Sequence, residues 1–195
     1  MGLLTNTVKR QRLRVVTPYV RGDVLDVGCG PALALEACRD RIGSYTGIEH
    51  TDERVAGLRR RFPDHTFLRK DLDEDLLDLG RQFDTVLLVA VIEHVFNQKH
   101  LMRQLVPLLK PEGRLVVTSP TPFGNDVVHR IGAALGLFSK DAAHDHVVIY
   151  NKRRFLLLAR EFGLMLETYC RFQCGCNQLA VFRTAVDEGS PYSPP

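Results

Sequence analysis

The residues best suited to chemistry lie in one short stretch, VLDVGCGPALALEAC, at positions 24–38. A buried strand pattern ends at Val27, and Gly28 and Gly30 follow before a helical pattern begins. Glycines at a strand-to-helix turn let backbone N–H groups and a helix N-terminus approach a polar or anionic group closely. The stretch therefore predicts a ligand at this turn.

Two acidic residues indicate the kind of ligand. Glu49 ends the second predicted strand, about 20 residues after the turn, where a carboxylate can accept hydrogen bonds from ribose hydroxyls. Asp26, at the tip of the first strand, would repel a pyrophosphate and attract an ammonium group. Leu33 stands where the dinucleotide fingerprint has its third glycine. These residues favour a nucleoside that bears a cationic amino acid over NAD.

The remaining elements must position these side chains. Strand and helix patterns alternate, which predicts a mostly parallel sheet covered on both faces. Pro31 suits the first position of the second helix, and Asn151 and Gly163 suit the two ends of the last one. Helices are predicted at 5–19, 31–41, 52–62, 97–109 and 152–162, and strands at 23–27, 44–49, 65–70, within 83–95, and at 114–120, 164–172 and 178–183.

The segment between the fifth strand and the last helix is long for a connection, which is typical of lids and binding elements. We expect one domain over residues 1–183, with an N-terminal helix within 1–20, a substrate lid at 120–150 and a disordered tail at 184–195. A short helix is predicted within the lid. Its apolar residues suggest an acceptor with hydrophobic or ring character, while a dimer contact or simple packing is the alternative; they are Phe123, Ile131, Leu135 and Phe138.

The composition is that of an ordinary globular chain. It has 195 residues, a net charge of +3 and no apolar run of the roughly 20 residues that a membrane span requires. The short basic clusters, such as Lys9 to Arg14, are expected to be solvated helix faces, so neither a nucleic acid nor a membrane partner is favoured. Five scattered cysteines fit a cytoplasmic protein. Those at the C-terminal hairpin, Cys170, Cys174 and Cys176, are expected to be small buried side chains.

Several segments together resemble a known family. VLDVGCGPA, GIEH, RKDLDEDL and FDTVLLVAVIEHV, followed by LLKPEGRLVVTSP and DHVVIYNKRRFLLLAREFGL, resemble class I S-adenosylmethionine-dependent methyltransferases, and more narrowly the small-molecule, ubiquinone-biosynthesis-like group. The resemblance implies a Rossmann-like, doubly wound α/β fold with a seven-stranded, mostly parallel sheet and an antiparallel last strand. It also implies S-adenosyl-L-methionine as cofactor and methyl transfer to O or N of a small-molecule acceptor.

The resemblance implies a role for each matching residue. Asp26, Gly28 and Gly30 would hold the methionyl part of the cofactor, and Glu49 would bind both ribose hydroxyls. Asp71 would reach the adenine amino group, with Asp73 as its competitor and a turn cap as the structural alternative. The other expected cofactor-binding residues are Cys29, His50, Leu72, and Val89 and Ala90 beside the sulfonium.

A base is needed only if the acceptor must lose a proton. Glu93 and His94 after strand four, and His144 and His146 in the lid segment, are the candidates. The Glu93–His94 pair could instead anchor the start of a helix. Some relatives with Glu-x-x-Glu-His at this place bind a divalent metal, but Ala90 replaces the first glutamate here. We therefore assign no metal ligand and expect metal to be dispensable.

Two other functions remain open at this stage. An RNA methyltransferase is disfavoured because no Asn-Pro-Pro-Tyr-type segment follows strand four and no RNA-binding module is present. The alternative from outside the enzymes is a non-catalytic subunit that binds the cofactor. The presence of the expected cofactor-binding residues counts modestly against it. Both a monomer and a homodimer are compatible with the sequence.

Overall fold

A single sheet of seven strands, in the order β3-β2-β1-β4-β5-β7-β6, forms the centre of the molecule. The computed structural model describes residues 3–125 and 147–184. β7 runs antiparallel to both of its neighbours, and the pairings from β3 to β5 are parallel, which confirms the predicted fold class. The strands are β1 (Gly22–Val27), β2 (Ile42–Glu49), β3 (Thr66–Arg69), β4 (Phe83–Val89), β5 (Leu109–Pro120), β6 (Leu164–Phe172) and β7 (Asn177–Thr184).

Five helices accompany the sheet in the described ranges: α1 (Leu3–Val16), α2 (Leu33–Ala37), α3 (Asp52–Arg61), α4 (Gln98–Leu105) and α5 (Lys152–Glu161). Asn151 caps α5 as predicted, because its side chain accepts a hydrogen bond from the Arg154 N–H at 2.9 Å. Gly163 follows α5 with a φ of 63°, the left-handed conformation expected of a glycine after a helix.

Two predicted helices are wrong in extent. The one expected at 31–41 is split into α2, of five residues, and a 3-10 turn at Arg39–Arg41. Pro31 lies in the preceding turn instead of the first helical position, and Ala32 takes a φ of 57° before the helix starts. A five-residue helix contributes little dipole, so the predicted help of a helix N-terminus at the glycine turn is small.

The helix expected at 97–109 ends at Leu105, and β5 starts at Leu109. Residues 110–113, expected to connect the helix at 97–109 with the strand at 114–120, form a bulge within β5 instead. Leu109 pairs with Phe83, and the next pair is Arg114 with Thr85.

Apolar side chains cover both faces of the sheet, as the unbroken apolar runs predict. Along β1, Val24 belongs to one buried cluster, with Tyr45 and Phe67, and Leu25 belongs to the other, with Phe155. The order of the strands reverses at β1 and β4, which lie side by side in the middle of the sheet. In open α/β sheets a crevice opens beyond the carboxyl ends of the strands at such a point, and ligands bind there.

Some predictions fall outside the described residues. His144, His146, the short helix within the lid, Ile131, Leu135, Phe138 and the tail from residue 185 all lie there. Among the described helices, none is long and apolar enough to cross a lipid bilayer.

The prediction that the cysteines of the β6–β7 hairpin are buried is wrong. Cys170 and Cys174 are exposed and Cys176 is half-buried, whereas Cys29 and Cys38 are the buried ones. An edge strand and a hairpin tip have few neighbours to cover them, so small side chains there stay at the surface.

An ion-pair network holds the opposite, amino-terminal edge of the sheet together. The Lys110 ammonium lies 2.7 Å from Asp23 Oδ2 and 2.8 Å from Asp84 Oδ2, which links β5 to β1 and β4. The hydrogen bonds from Lys110 and Ser44 lower the pKa of Asp23 to about 2. The stabilisation is therefore present above the usual carboxyl pKa near 4 and is lost as the pH falls towards 2.

We expect Lys110→Met to lower the melting temperature at pH 7, because two neighbouring carboxylates lose their shared counter-charge. The deficit should shrink as the pH falls below about 4, where both carboxylates of the variant take up protons. Thermal unfolding monitored by circular dichroism measures both effects. Lys99→Met, which removes a single surface pair with Glu161, is the matched control and should change the melting temperature little. If Lys110→Met lowered the melting temperature by the same amount at every pH, this account would be contradicted.

Candidate cofactor pocket and active site

Two cavities meet at Gly28, at the carboxyl ends of β1, β2 and β4. The larger, of about 400 Å³, is lined by Glu49, Asp71 and other residues that follow β2, β3 and β4. The smaller, of about 140 Å³, lies between the glycine turn and α1 and includes Asp26. Gly28 contributes to the walls of both, so the two cavities are neighbours on either side of the glycine turn.

Gly28 must be a glycine for two reasons. Its φ is 70°, and a Cβ at this position would lie 2.6 Å from Cγ2 of Val91. The turn is also held to β2, since the Cys29 N–H donates to the Ile48 carbonyl at 2.9 Å. The bare backbone predicted from the sequence is therefore held in place at the point where the cavities join.

The smaller cavity contains a buried carboxylate. Asp26 is only 4% exposed, and its Oδ2 accepts a hydrogen bond from the Tyr45 hydroxyl at 2.6 Å. Burial raises the pKa of Asp26 to about 7, the hydrogen bond from Tyr45 opposes the rise, and the charge of Glu49 adds to it. A cation placed beside this carboxylate would stabilise its ionised form. The cavity thus suits the ammonium group that the sequence predicts; its lining includes Cys29, Gly30 and Val89.

The larger cavity carries the acidic residue that ends β2. Oε2 of Glu49 accepts from the His50 N–H at 3.0 Å, and Arg54 Nη1 lies 3.3 and 3.4 Å from the two carboxylate oxygens. Both partners hold the carboxylate in place at the cavity wall. The position is the one that ribose recognition requires. His50, Asp71 and Leu72 line the same cavity, so these predicted residues are brought together.

Asp71 acts as a turn cap and also lines the larger cavity. Its Oδ1 accepts from the Asp73 N–H at 3.0 Å, as a turn cap does, and its Oδ2 lies 3.8 Å from Nδ1 of His50. Asp73 also lines the cavity, but its Oδ1 accepts from the Asn97 N–H at 2.8 Å. A turn cap is therefore compatible with a place in the cavity wall, and both carboxylates remain candidates for the adenine contact.

The two described candidate bases, Glu93 and His94, have different surroundings. Glu93 lies in a 3-10 turn after β4 and is 2% exposed, and its Oε2 has no hydrogen-bond partner among the described residues. Burial raises the pKa of Glu93 to about 7, against the opposing effects of its own backbone N–H and of Arg12. His94 instead lines the larger cavity. Glu93 therefore has the ionisation range of a base near neutrality.

Ala90 lies at the end of β4 without lining either cavity, although Val89 lines the smaller one. Its φ is 57°, an uncommon value for a residue other than glycine. The Ala90 N–H donates to the Thr118 carbonyl at 2.9 Å, which ties this residue to β5. In the described part of the chain, no group of three or more histidine, cysteine, aspartate or glutamate residues could hold a metal ion.

Two cavity residues were missed at the sequence level. Arg12 was expected on a solvated face, yet it lines the smaller cavity and its Nη2 donates to Asn177 Oδ1 at 3.3 Å. Burial lowers the pKa of Arg12, and its Nε has no partner among the described residues. Its helical spacing to the buried Val16 was the available signal. Phe96 lines the larger cavity and is 75% exposed, and the sequence offered no comparable signal for it.

Residues 5–169 match a family model described as a methyltransferase domain. The chain belongs to this methyltransferase family. The assignment confirms the predicted class of enzyme and S-adenosylmethionine as its cofactor. This methyltransferase therefore has a cofactor whose parts, adenosine and a cationic amino acid, agree with the two cavities.

Among the relatives, the mitochondrial ubiquinone biosynthesis O-methyltransferase of Arabidopsis thaliana is 32% identical over 108 residues. The match covers 52% of this chain and 33% of the relative, so this methyltransferase spans only part of the relative's length.

Solved structures share the fold at low identity. Magnesium protoporphyrin IX methyltransferase from Synechocystis, crystallised with bound SAH, has a TM-score of 0.72 at 15% identity and covers 95% of this chain and 89% of its own. A Haloferax volcanii methyltransferase in complex with the activator Trm112 has a TM-score of 0.70 at 20% identity, with 91% and 88% covered.

We expect Glu49→Ala to weaken S-adenosylmethionine binding about a hundredfold, because two charge-assisted hydrogen bonds to the ribose are lost. Isothermal titration calorimetry measures the change. Glu53→Ala, at an exposed site on the first turn of α3, is the matched control and should leave the affinity unaltered. An unchanged affinity in Glu49→Ala would show that the ribose lies elsewhere.

Proposed function

We propose that the protein transfers a methyl group from S-adenosylmethionine to an oxygen or nitrogen of a small-molecule acceptor, with Glu93 as the general base. The observation that carries the proposal is the pair of neighbouring cavities that share Gly28 in their walls. One is bordered by a ribose-type carboxylate, Glu49, and the other by the buried carboxylate Asp26.

Each part of the cofactor has a chemical counterpart in the cavities. Asp26 would accept from the ammonium group, and the guanidinium of Arg12, which lines the same cavity, would donate to the carboxylate of the same amino acid. Glu49 would accept from the ribose hydroxyls. Leu72 and Phe96 offer apolar surface for the adenine ring in the larger cavity.

When bound, the cofactor supplies an electrophilic methyl group on a sulfonium. Transfer is an in-line displacement in which the bond from the acceptor oxygen or nitrogen to the methyl carbon forms as the carbon–sulfur bond breaks. The cavity walls would position the cofactor and the acceptor for this displacement, and such positioning supplies much of the acceleration in reactions of this kind. Glu93 lines neither cavity in this structure, so it would take the acceptor's proton only where binding of the acceptor brings the two groups within hydrogen-bond distance.

The small-molecule acceptor is supported by the relative from ubiquinone biosynthesis, whose name describes an O-methyltransferase. We propose further that, within the family, the chain belongs to the ubiquinone-biosynthesis-like group. The family match, which describes a methyltransferase domain, favours an active enzyme over a non-catalytic subunit.

Calorimetry with S-adenosylmethionine, its demethylated product S-adenosylhomocysteine and NAD tests the cofactor site. We expect both adenosyl amino acids to bind and NAD not to bind, because Asp26 repels a pyrophosphate. The displacement of either compound by the other would confirm a shared site. Binding of NAD with comparable affinity would refute this arrangement.

We expect Glu93→Gln to lower the turnover number by about 10²- to 10⁴-fold, because the glutamine cannot accept the proton. The affinity for S-adenosylmethionine should stay within a few-fold of the wild type. The rate is measured as the transfer of a labelled methyl group from the cofactor to each of a panel of phenols, catechols and amines. In the wild type it should rise with pH through about 7, as Glu93 ionises.

Glu74→Gln, on the exposed surface, is the control and should behave like the wild type. If Glu93→Gln retained the full rate on an acceptor that must be deprotonated, the base would have to be another residue.

A further inference from the structure

Tyr45 stands out among the buried polar side chains near the cofactor cavities. It is 2% exposed, and its hydroxyl donates to Asp26 Oδ2 at 2.6 Å. The ring is held by His65 and Phe67, with centroid distances of 6.0 and 5.8 Å. A tyrosine fixed in this way presents its hydroxyl from one direction only.

The strand register explains how the hydroxyl reaches the carboxylate. In the parallel pair of β1 and β2, Val24 pairs with Tyr45 and Asp26 pairs with Gly47. Residues two apart on a strand share a face, so Tyr45 and Asp26 lie on the same face, diagonal to each other. Gly47 has no side chain between them, and a Cβ there would lie 2.8 Å from the Cys29 sulfur. The bare position also leaves room for the Phe67 ring, which in turn packs against the ring of Tyr45.

We propose that Tyr45 is a positioning residue of the cofactor site, whose hydroxyl holds the Asp26 carboxylate for the ammonium group of S-adenosylmethionine. The inference rests on the proposed cofactor site and adds a residue that does not itself line either cavity. Tyr45 acts through Asp26: its hydrogen bond fixes the orientation of the carboxylate and favours the charged form that an ammonium group requires.

The charged and titratable groups around Asp26 come from three elements. Tyr45 and Glu49 belong to β2, Cys29 belongs to the glycine turn, and Arg12 and Lys9 of α1 border the same cavity. Burial and Glu49 raise the pKa of Asp26, and Tyr45 lowers it. Since the ligand cation binds the ionised carboxylate, affinity should fall as the pH drops below about 7.

The test is the pH dependence of S-adenosylmethionine affinity in the wild type and in Tyr45→Phe. Loss of the hydroxyl should move the acid midpoint of binding to higher pH and weaken binding at pH 7 about tenfold. The ratio of the two affinities should approach one at more alkaline pH. Titration of the ligand's own amine affects both proteins equally, so it cancels from this ratio.

Replacing Tyr45 with 3-fluorotyrosine gives a change of opposite sign. The more acidic phenol is a stronger donor, so the midpoint should move to lower pH. This replacement keeps the shape of the side chain and serves as the test if Tyr45→Phe does not fold. 5′-Methylthioadenosine, which lacks the amino-acid part, is the matched ligand, and its affinity should not change in either variant.

The outcomes separate this inference from the proposed function. Suppose that the affinity of the wild type for S-adenosylmethionine falls at acid pH and that Asp26→Asn abolishes this fall. The proposed cofactor site is then supported. An unmoved midpoint in Tyr45→Phe and in the fluorotyrosine protein would then overturn the role of Tyr45 alone. Uniformly weaker binding at every pH, shared by 5′-methylthioadenosine, would also overturn it, because that pattern indicates a merely structural residue. No binding by the folded wild type would overturn the cofactor site itself.

Discussion

Two carboxylates, Asp26 and Glu49, are only 4% and 6% exposed and lie at the same edge of the sheet. The charge of Glu49 adds to the rise that burial causes in the pKa of Asp26. Burying like charges is unfavourable unless a partner compensates them. The protein compensates in part, with Tyr45 on Asp26 and with Arg54 and a backbone N–H on Glu49. We propose that the charge left uncompensated makes the crevice favour a ligand with hydroxyl donors at one end and a cation at the other.

The rest of the fold places these groups together. β1 and β2 are adjacent and parallel, so the acidic residues near their carboxyl ends arrive on the same side, and the glycine turn lies between them. α1 adds Arg12 from the start of the chain, held by Asn177 near its end. The ion pairs of Lys110 hold β1, β4 and β5 together at the opposite edge, away from the chemistry. Stability and ligand binding thus use different ends of the same strands.

Glu93 and Arg12 illustrate how burial changes the ionisation of a side chain. Each has an atom without a hydrogen-bond partner in the described part of the chain, and each influences the ionisation of the other. Fully exposed to water, both side chains would have the ordinary pKa values of glutamate and arginine. In the fold, the glutamate is tuned towards the range of a general base, while the arginine borders the cavity that suits an amino-acid ligand. The proposed methyl transfer needs both of these properties.

The amino-acid sequence alone determined the alternation of strands and helices, the bare glycine turn and the two acidic strand ends. These are local features: side-chain periodicity, backbone freedom and chain order predict them without knowledge of distant neighbours. The same reasoning failed at residues 31–41, where Ala32 adopts a left-handed conformation and delays the helix. It also failed at Arg12, whose partner lies 165 residues away.

Only the tertiary structure decided which of the candidate groups are buried and which atoms face them. The hydrogen bond from Tyr45 to Asp26 depends on the register of two strands, and the raised pKa of Glu93 depends on its enclosure by residues from other elements. Desolvation and hydrogen bonding arise from neighbours that the chain brings together only on folding. For that reason the class of ligand could be predicted from the sequence, whereas the ionisation of the groups that bind it could not.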